Sequence, residues 1–345
     1  MNCPGGLRIS SGGTSESLQR RAVLTGGYFP GRVQADARTA QSLMRRSSGM
    51  KTTAKAAVAG TAHQVTSDGL QLYVWEKRAA ATRAGTAVKV ALLVHGGTYG
   101  GRTDYDIQAA DGKSSMMGYL AERGWDVFTF DIRGYGRSEK PEDGFSVTTE
   151  AAVRDIGAVV DAIRELRRAV SVDLFGWSWG GSTTALYAMA NPRRVRRLVM
   201  FAGGAGQPGP AARAPSAAPL EPWVVSTRET VVARIEQDVV IPEAQEAFIE
   251  SVLKWDAKSP NGLRRQVVGG GQAPRPAPER ITVPTMIIYG ARDSAYQPES
   301  VSGFFAGLNT RDKALVVVPD AGHFLIIQNQ RMRLFTAVEQ WFGYA

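Results

Sequence analysis

From Gln64 onward the chain switches repeatedly between two hydrophobic rhythms. Residues 71–75 alternate apolar and polar side chains, which predicts a short strand with one buried face. Residues 88–94 form a continuous apolar run, the pattern of a strand covered on both faces, and residues 125–130 read as a second buried strand. Between them, residues 114–122 predict a helix. Val153, Ile156, Val160, Ile163 and Leu166 recur at helical spacing, so residues 148–168 predict a long amphipathic helix. A strand is expected at 170–175, and a helix at 181–190 that stops before Pro192. Strands at 195–201, 283–289 and 314–318 and a closing helix at 324–342 complete the series. Strands alternating with helices imply an α/β fold, with a mostly parallel central sheet and helices on both faces.

One interval breaks the rhythm. Residues 203–222 are dense in Gly, Pro and Ala, two helices are expected at 226–239 and 242–257, and residues 269–278 are loop-like again. Two helices between flexible hinges, inserted before a strand, read as a small helical cap over residues 203–280. The core then comprises residues 63–202 and 281–345.

Composition changes the picture mainly at the N-terminus. The chain has 345 residues, 43% of them hydrophobic, enough for a sizeable core, yet it has no apolar stretch of membrane-spanning length. The net charge of +9 suggests nucleic acid until its distribution is considered. Arg8, Arg20, Arg21, Arg32, Arg38, Arg45, Arg46, Lys51 and Lys55 stand against only Glu16 and Asp36, so most of the excess lies in the first 60 residues. A basic extension beside a nearly neutral body does not suggest a nucleic-acid-binding face. Residues 1–62 read as a disordered basic extension. Arg20-Arg21-Ala22-Val23-Leu24 is compatible with an export signal, although Gly26, Gly27 and Pro30 interrupt the apolar stretch. A transit peptide and a start at Met44 or Met50 are the other readings. Cys3 is the single cysteine, so no internal disulfide can form, and a cytoplasmic location is expected, with export the alternative.

The chemistry concentrates at strand ends. Gly176-Trp177-Ser178-Trp179-Gly180 lies directly after the strand at 170–175 and directly before the next helix. A nucleophilic serine needs such a tight strand-to-helix turn, flanked by small residues because two backbones nearly touch there. Its base must titrate near neutrality, which points to histidine. Of His63, His95 and His323, the last follows the final strand in Ala321-Gly322-His323-Phe324, at the sheet edge where Ser178 emerges. His95-Gly96-Gly97-Thr98 follows the first long strand. Its glycines would let backbone N–H groups approach a developing oxyanion, with Gly97 and Trp179 the expected donors and Thr98 a substitute for Gly97. The acid that orients the base is expected to be Asp293, after the strand at 283–289. Asp320 competes, but it is only three residues from His323 and fits a role within its own loop. Three scattered histidines and one cysteine suggest no metal cluster, and no dinucleotide fingerprint or other cofactor motif follows the first long strand.

From about residue 64 to the C-terminus the chain resembles the α/β-hydrolase family. The order Ser178, Asp293, His323 matches that family's nucleophile, acid and base. Asp131-Ile132-Arg133-Gly134-Tyr135-Gly136-Arg137-Ser138 is similar to its loop after the fourth strand, and residues 203–280 resemble its cap. The resemblance separates this chain from members similar to haloalkane dehalogenases and epoxide hydrolases, which carry aspartate where Ser178 stands. Proline iminopeptidases share the plan, with acidic cap residues of which Glu229 or Glu236 are conceivable counterparts. The function expected is hydrolysis of a carboxylic ester or lactone, a small apolar substrate, through an acyl-enzyme on Ser178. The alternatives are C–C or amide hydrolysis by the same triad, and a non-catalytic ligand-binding member of the fold. Trp177, Trp179, Trp223 and Trp255 suggest an apolar pocket.

Overall fold

The computed structural model describes residues 58–78, 89–205, 219–268 and 273–344. The expected extension, up to residue 57, and much of both cap hinges lie outside the described residues.

The chain opens with a hairpin, β1 (Gly60–Ser67) and β2 (Leu70–Arg78). β1 starts inside the extension expected to reach residue 62, and it carries His63. That side chain is tied across the hairpin to Glu76 at 2.7 Å, so it is a sheet residue rather than part of a tail. Then come β3 (Lys89–Val94), the short helix α1 (Gly101–Tyr105), α2 (Met116–Ala121) and β4 (Trp125–Phe130). The long helix α3 (Thr149–Arg167) follows. The Thr148 hydroxyl caps its first turn, and Arg168 ends it in the left-handed conformation. β5 (Val172–Trp177), α4 (Trp179–Ala190) and β6 (Val195–Phe201) lead to the insertion. The insertion holds β7 (Trp223–Val225), α5 (Arg228–Val232), α6 (Pro242–Trp255), β8 (Lys258–Pro260) and α7 (Gly262–Val268). The core resumes with β9 (Thr285–Gly290), α8 (Pro298–Gly307), β10 (Lys313–Val318) and α9 (Arg331–Gly343).

Eight strands form one sheet in the order β1-β2-β4-β3-β5-β6-β9-β10. The hairpin pairs antiparallel onto β4, and every pairing from β4 to β10 is parallel. The mostly parallel sheet with helices expected from the sequence is therefore present. Each face buries its own apolar cluster. Phe175, Phe201, Trp125 and Phe335 belong to one, and Leu92, Phe128, Ile156 and Leu174 to the other. Because both faces are covered, residues of β4 and β5 are buried whichever way they point, which explains their non-alternating sequences. Strand order reverses around β3, so the loops after β3 and β5 open side by side at the carboxyl edge.

Two expected helices are shorter than the pattern implied. Helical spacing suggested 226–239, but α5 ends at Val232. Val239, Val240 and Ile241 are β-branched, and Pro242 holds Ile241 in extended geometry at φ −90°, ψ 118°. The closing helix expected from 324 begins at Arg331, after a 3₁₀ turn over Leu325–Ile327. The two departures share a cause. Ile241 N–H donates to the Ile327 carbonyl at 3.0 Å, and Asn329 N–H donates to the Val239 carbonyl at 2.9 Å. Val240 bridges Gln328 in antiparallel fashion. Pairing between segments far apart in sequence overrides the helical preference of both. The β7–β8 ribbon, which pairs residues 223–225 with 258–260 inside the insertion, has no counterpart in the sequence reading.

Candidate active site

Ser178 occupies the turn between β5 and α4 with φ 57° and ψ −117°, a conformation that costs a non-glycine residue on the order of 1–3 kcal/mol. The turn is held by close backbone contacts. A Cβ on Gly176 would lie 2.1 Å from the Gly180 carbonyl oxygen, one on Gly180 2.3 Å from the Val94 oxygen, and one on Gly203 2.3 Å from the Ser178 oxygen. The Ser178 N–H donates to the Phe201 carbonyl at 2.7 Å, which continues the pairing of β5 with β6 into the turn. Glycine is thus demanded by packing on three sides, while the serine side chain stays partly exposed.

The loop after β3 lies against this turn. A Cβ on Gly96 would meet the Ser178 Cβ at 3.5 Å, and one on Gly97 the Trp179 Cβ at 3.6 Å. Trp179 is the first residue of α4, so its N–H has no intrahelical acceptor and sits at the positive end of the helix. His95 anchors the loop. Its Nδ1–H donates to the Gly96 carbonyl at 2.6 Å and its Nε2 accepts from Ile132 N–H at 2.9 Å, so the ring is neutral. Complete burial pushes its pKa down to about 4. Thr98 meets the insertion, its carbonyl accepting from the Ser259 hydroxyl at 2.6 Å.

Sequence reasoning missed the acids behind this loop. Asp256, just past α6, accepts from Gly100 N–H at 2.9 Å, Gly136 N–H at 2.8 Å and the Thr103 hydroxyl at 2.6 Å. Asp131 accepts from Gly101 N–H and Arg137 N–H, both at 2.8 Å. Burial and the neighbouring Asp131 carboxylate push Asp256 up to about 7, and burial also raises Asp131. Asp104 is raised well above the usual range by burial and by Asp256. A residue of the insertion between β6 and β9 therefore ties the glycine loop to the loop after β4. Nothing in the sequence pattern around Trp255-Asp256 signalled this.

At the other end of the site, His323 Nδ1 lies 2.9 Å from Asp293 Oδ2. The Asp293 carboxylate is buried, and its second oxygen accepts from Ala295 N–H at 2.8 Å. The approach depends on Gly290, where a Cβ would fall 2.2 Å from the Ala321 oxygen, so the end of β9 abuts the histidine loop. Asp320 is exposed at φ 50°, and it is Asp293 that His323 Nδ1 meets. The His323 ring packs on Trp177 at 5.8 Å between centroids. Trp177 and Trp179 are core residues, whereas Trp223 and Trp255 lie under Lys258 and Arg137 at 5.0 and 3.6 Å. Of the four tryptophans, only Trp177 has a ring contact with His323. Among the described residues no group of His, Cys, Asp or Glu is placed to hold a metal ion, and no helix is long and apolar enough to cross a membrane.

Comparison with known proteins places the chain in a family. The family described as serine aminopeptidase, S33, matches residues 110–330. Non-heme chloroperoxidase of Streptomyces lividans is 38% identical over 93 residues, which are 27% of this chain and 32% of that protein. Haloalkane dehalogenase 2 of Mycobacterium tuberculosis is 28% identical over 236 residues, 62% of this chain and 77% of that protein. The chain thus spans about a third of one of these relatives and about three quarters of the other. Among solved structures, the thioesterase domain from the curacin biosynthetic pathway superimposes with a TM-score of 0.59 at 18% identity, covering 83% of this chain and all of that domain. With the family match extending over more than half of its length, the chain belongs to the S33 serine aminopeptidase family of α/β-hydrolases.

Proposed function

We propose that the protein hydrolyses a carboxylic ester or lactone of a small, largely apolar molecule, with Ser178 as nucleophile, His323 as general base and Asp293 as the acid that orients it. The observation that carries this reading is the strained φ of 57° at Ser178, set at the same sheet edge as a histidine bonded through Nδ1 to a buried carboxylate. With Nδ1–H on Asp293, Nε2 is the nitrogen left to take the Ser178 proton as its oxygen attacks the substrate carbonyl. The Gly97 and Trp179 N–H groups then receive the oxyanion. The imidazolium protonates the leaving alkoxide, and the neutral ring next activates water to release the acid and regenerate Ser178. These steps require only groups that this chain supplies.

Amide hydrolysis is the second reading, favoured by the description of the family as serine aminopeptidases. A panel of p-nitrophenyl esters, lactones and aminoacyl amides tests both, with Ser178→Ala as control. Ester or lactone turnover that Ser178→Ala abolishes supports the first reading. Turnover confined to aminoacyl amides replaces it with the second, and activity surviving in Ser178→Ala removes both.

A further inference from the structure

We infer that Glu236, a residue of the cap, is a positioning residue for His323, acting through a closed ring of hydrogen bonds that also contains Gln328. The inference rests on the triad proposed above. His323 N–H donates to Glu236 Oε1 at 2.9 Å. Gln328 Nε2–H donates to the other carboxylate oxygen, Oε2, at 2.7 Å. Gln328 Oε1 accepts from Gly322 N–H at 2.8 Å. The Gly322–His323 peptide therefore presents its two consecutive N–H groups to an amide oxygen and to a carboxylate. The amide and carboxylate are bonded to each other, so each fixes the other.

Three further features make this a built arrangement rather than a chance contact. A Cβ on Gly322 would come within 2.2 Å of the Glu236 carboxylate, so glycine before the histidine is what admits the acid. Gln328 is fully buried, and exchanging its oxygen and nitrogen would set two N–H donors against each other at Gly322. Finally, the strap from Val239 to Ile241 is pinned to Ile327 and Asn329 by backbone bonds of 3.0 and 2.9 Å, which carries Glu236 to the histidine loop.

The remaining elements explain why the loop needs the ring. Asp293 fixes the imidazole from Nδ1, but it does not fix the backbone from which the side chain hangs. Asp320, two residues before Gly322, sits at a positive φ of 50°, so the chain turns sharply just before the histidine. A displaced loop moves Nε2 relative to Ser178, and a misplacement of about 1 Å can cost on the order of 100-fold in rate. The bonds to a charged acceptor are the stronger kind, which suits a contact that must hold a loop between two elements.

The donor–acceptor logic gives a discriminating test by polarity exchange. In Glu236→Gln the new amide can still accept from His323 N–H, but its NH₂ then faces the NH₂ of Gln328. In Gln328→Glu two carboxylates face each other. In the double variant E236Q/Q328E every bond is restored. The amide now at position 236 accepts from His323 N–H and donates to the carboxylate now at position 328, which in turn accepts from Gly322 N–H. Both kcat and KM for p-nitrophenyl acetate and the rate of Ser178 labelling by a fluorophosphonate are measured on the full chain, with circular dichroism confirming the fold. Each single variant should lower kcat and the labelling rate by about 10- to 100-fold with KM within about twofold, and the double variant should recover most of the loss. Unchanged kcat in Glu236→Gln overturns the proposal. So does a double variant no better than the singles, or a change confined to KM, which would make Glu236 a substrate contact. A wild-type protein that takes no label on Ser178 would instead bring down the triad itself, a result distinguishable from any of these.

Discussion

The serine turn and the histidine loop lie at the same edge of the sheet, but they are held there in different ways. Around Ser178 the fixing contacts are backbone against backbone. Gly176, Gly180 and Gly203 each admit a main-chain atom to within 2.3 Å of where a Cβ would be. Around His323 the contacts come from side chains: Asp293 from the β9 end and Glu236 from the insertion, both distant in sequence, and Gln328 from the loop before α9. A turn built from backbone packing is rigid, and it tolerates almost no added atoms. A loop held by side chains can be tuned from elsewhere, and each holder can be exchanged for an isostere without filling forbidden space. The difference predicts that substitutions in the serine turn act on stability and chemistry together, whereas those around the histidine act mainly on chemistry.

The largest expected effect tests whether the turn's strain serves the reaction. Ser178→Ala should lower ester turnover by about 10⁶-fold, and a fluorophosphonate should label wild-type protein at Ser178 alone. Ser178→Gly should be equally inactive but more stable by about 1 kcal/mol, because glycine accepts the φ of 57° without strain. A denaturant titration showing Ser178→Gly no more stable than Ser178→Ala would mean that the turn stores no strain.

On the histidine side, Asp293→Asn should lower kcat by about 10⁴-fold, through the wrong tautomer and the lost charge. The melting temperature should move by less than about 2 °C, about 1 kcal/mol or less for a domain of this size. Asp320→Asn is the contrast. Asp320 is exposed and its backbone is left-handed, which asparagine accepts as readily, so turnover should stay within about twofold. Reversed effects would transfer the role of acid to Asp320 and dissolve the comparison.

Gly176→Ala measures the rigidity of the turn directly. The added Cβ would meet the Gly180 carbonyl oxygen at 2.1 Å and the Gly181 nitrogen at 2.6 Å, and both are main-chain atoms with no rotamer to change. A loss of about 3 kcal/mol is expected, seen as a fall in melting temperature of about 6 °C or more. A fall no greater than that of Asp293→Asn would show that the turn yields as easily as the loop.

The same contrast decides what could be read from sequence. The serine turn is local: five consecutive residues between a strand and a helix contain most of its physics, so its position was legible. Asp293 and His323 were legible as strand-end residues, and their pairing followed from the chemistry that each requires. Glu236, Gln328 and Asp256 were not. Glu236 and Asp256 are defined by partners 87 and 156 residues away, Gln328 by a partner 92 residues away, and no periodicity encodes such a pairing. The shortened helices fail for the same reason. Residues 239–241 and 327–329 pair with each other, and helical spacing in either segment alone points elsewhere. The hairpin did leave a signal, since Asp68-Gly69 with both φ values positive forms its turn, but strand alternation in β1 was obscured by the Gly-, Ala- and Thr-rich sequence before it.

The loop of Gly96 to Gly101 combines both strategies, and its pH response can show which one controls it. Its glycines pack closely against the serine turn, while its far end hangs on Asp256 from the insertion, beside the buried carboxyls of Asp131 and Asp104. Asp256 is raised to about 7 by burial and by Asp131, against about 4 for an unfolded aspartate. Between these values the folded protein holds a proton that the unfolded chain has lost. The contribution of Asp256 to stability therefore falls as pH rises from about 4 to about 7 and levels off above, when both states are ionised. Asp256→Asn removes this titration. Its carbonyl oxygen can still accept from Gly100 and Gly136 N–H, and its amide can donate to the Thr103 hydroxyl, which can turn its own proton toward Ser251, its neighbour at 2.9 Å. Relative to wild type, the variant should gain at least about 1 kcal/mol between pH 5 and pH 8, the equivalent of one pKa unit. Urea titrations at the two pH values measure that difference. Parallel changes in both proteins would place the proton on another buried acid, such as Asp131 or Asp104, and would leave the hold of Asp256 on this loop independent of pH.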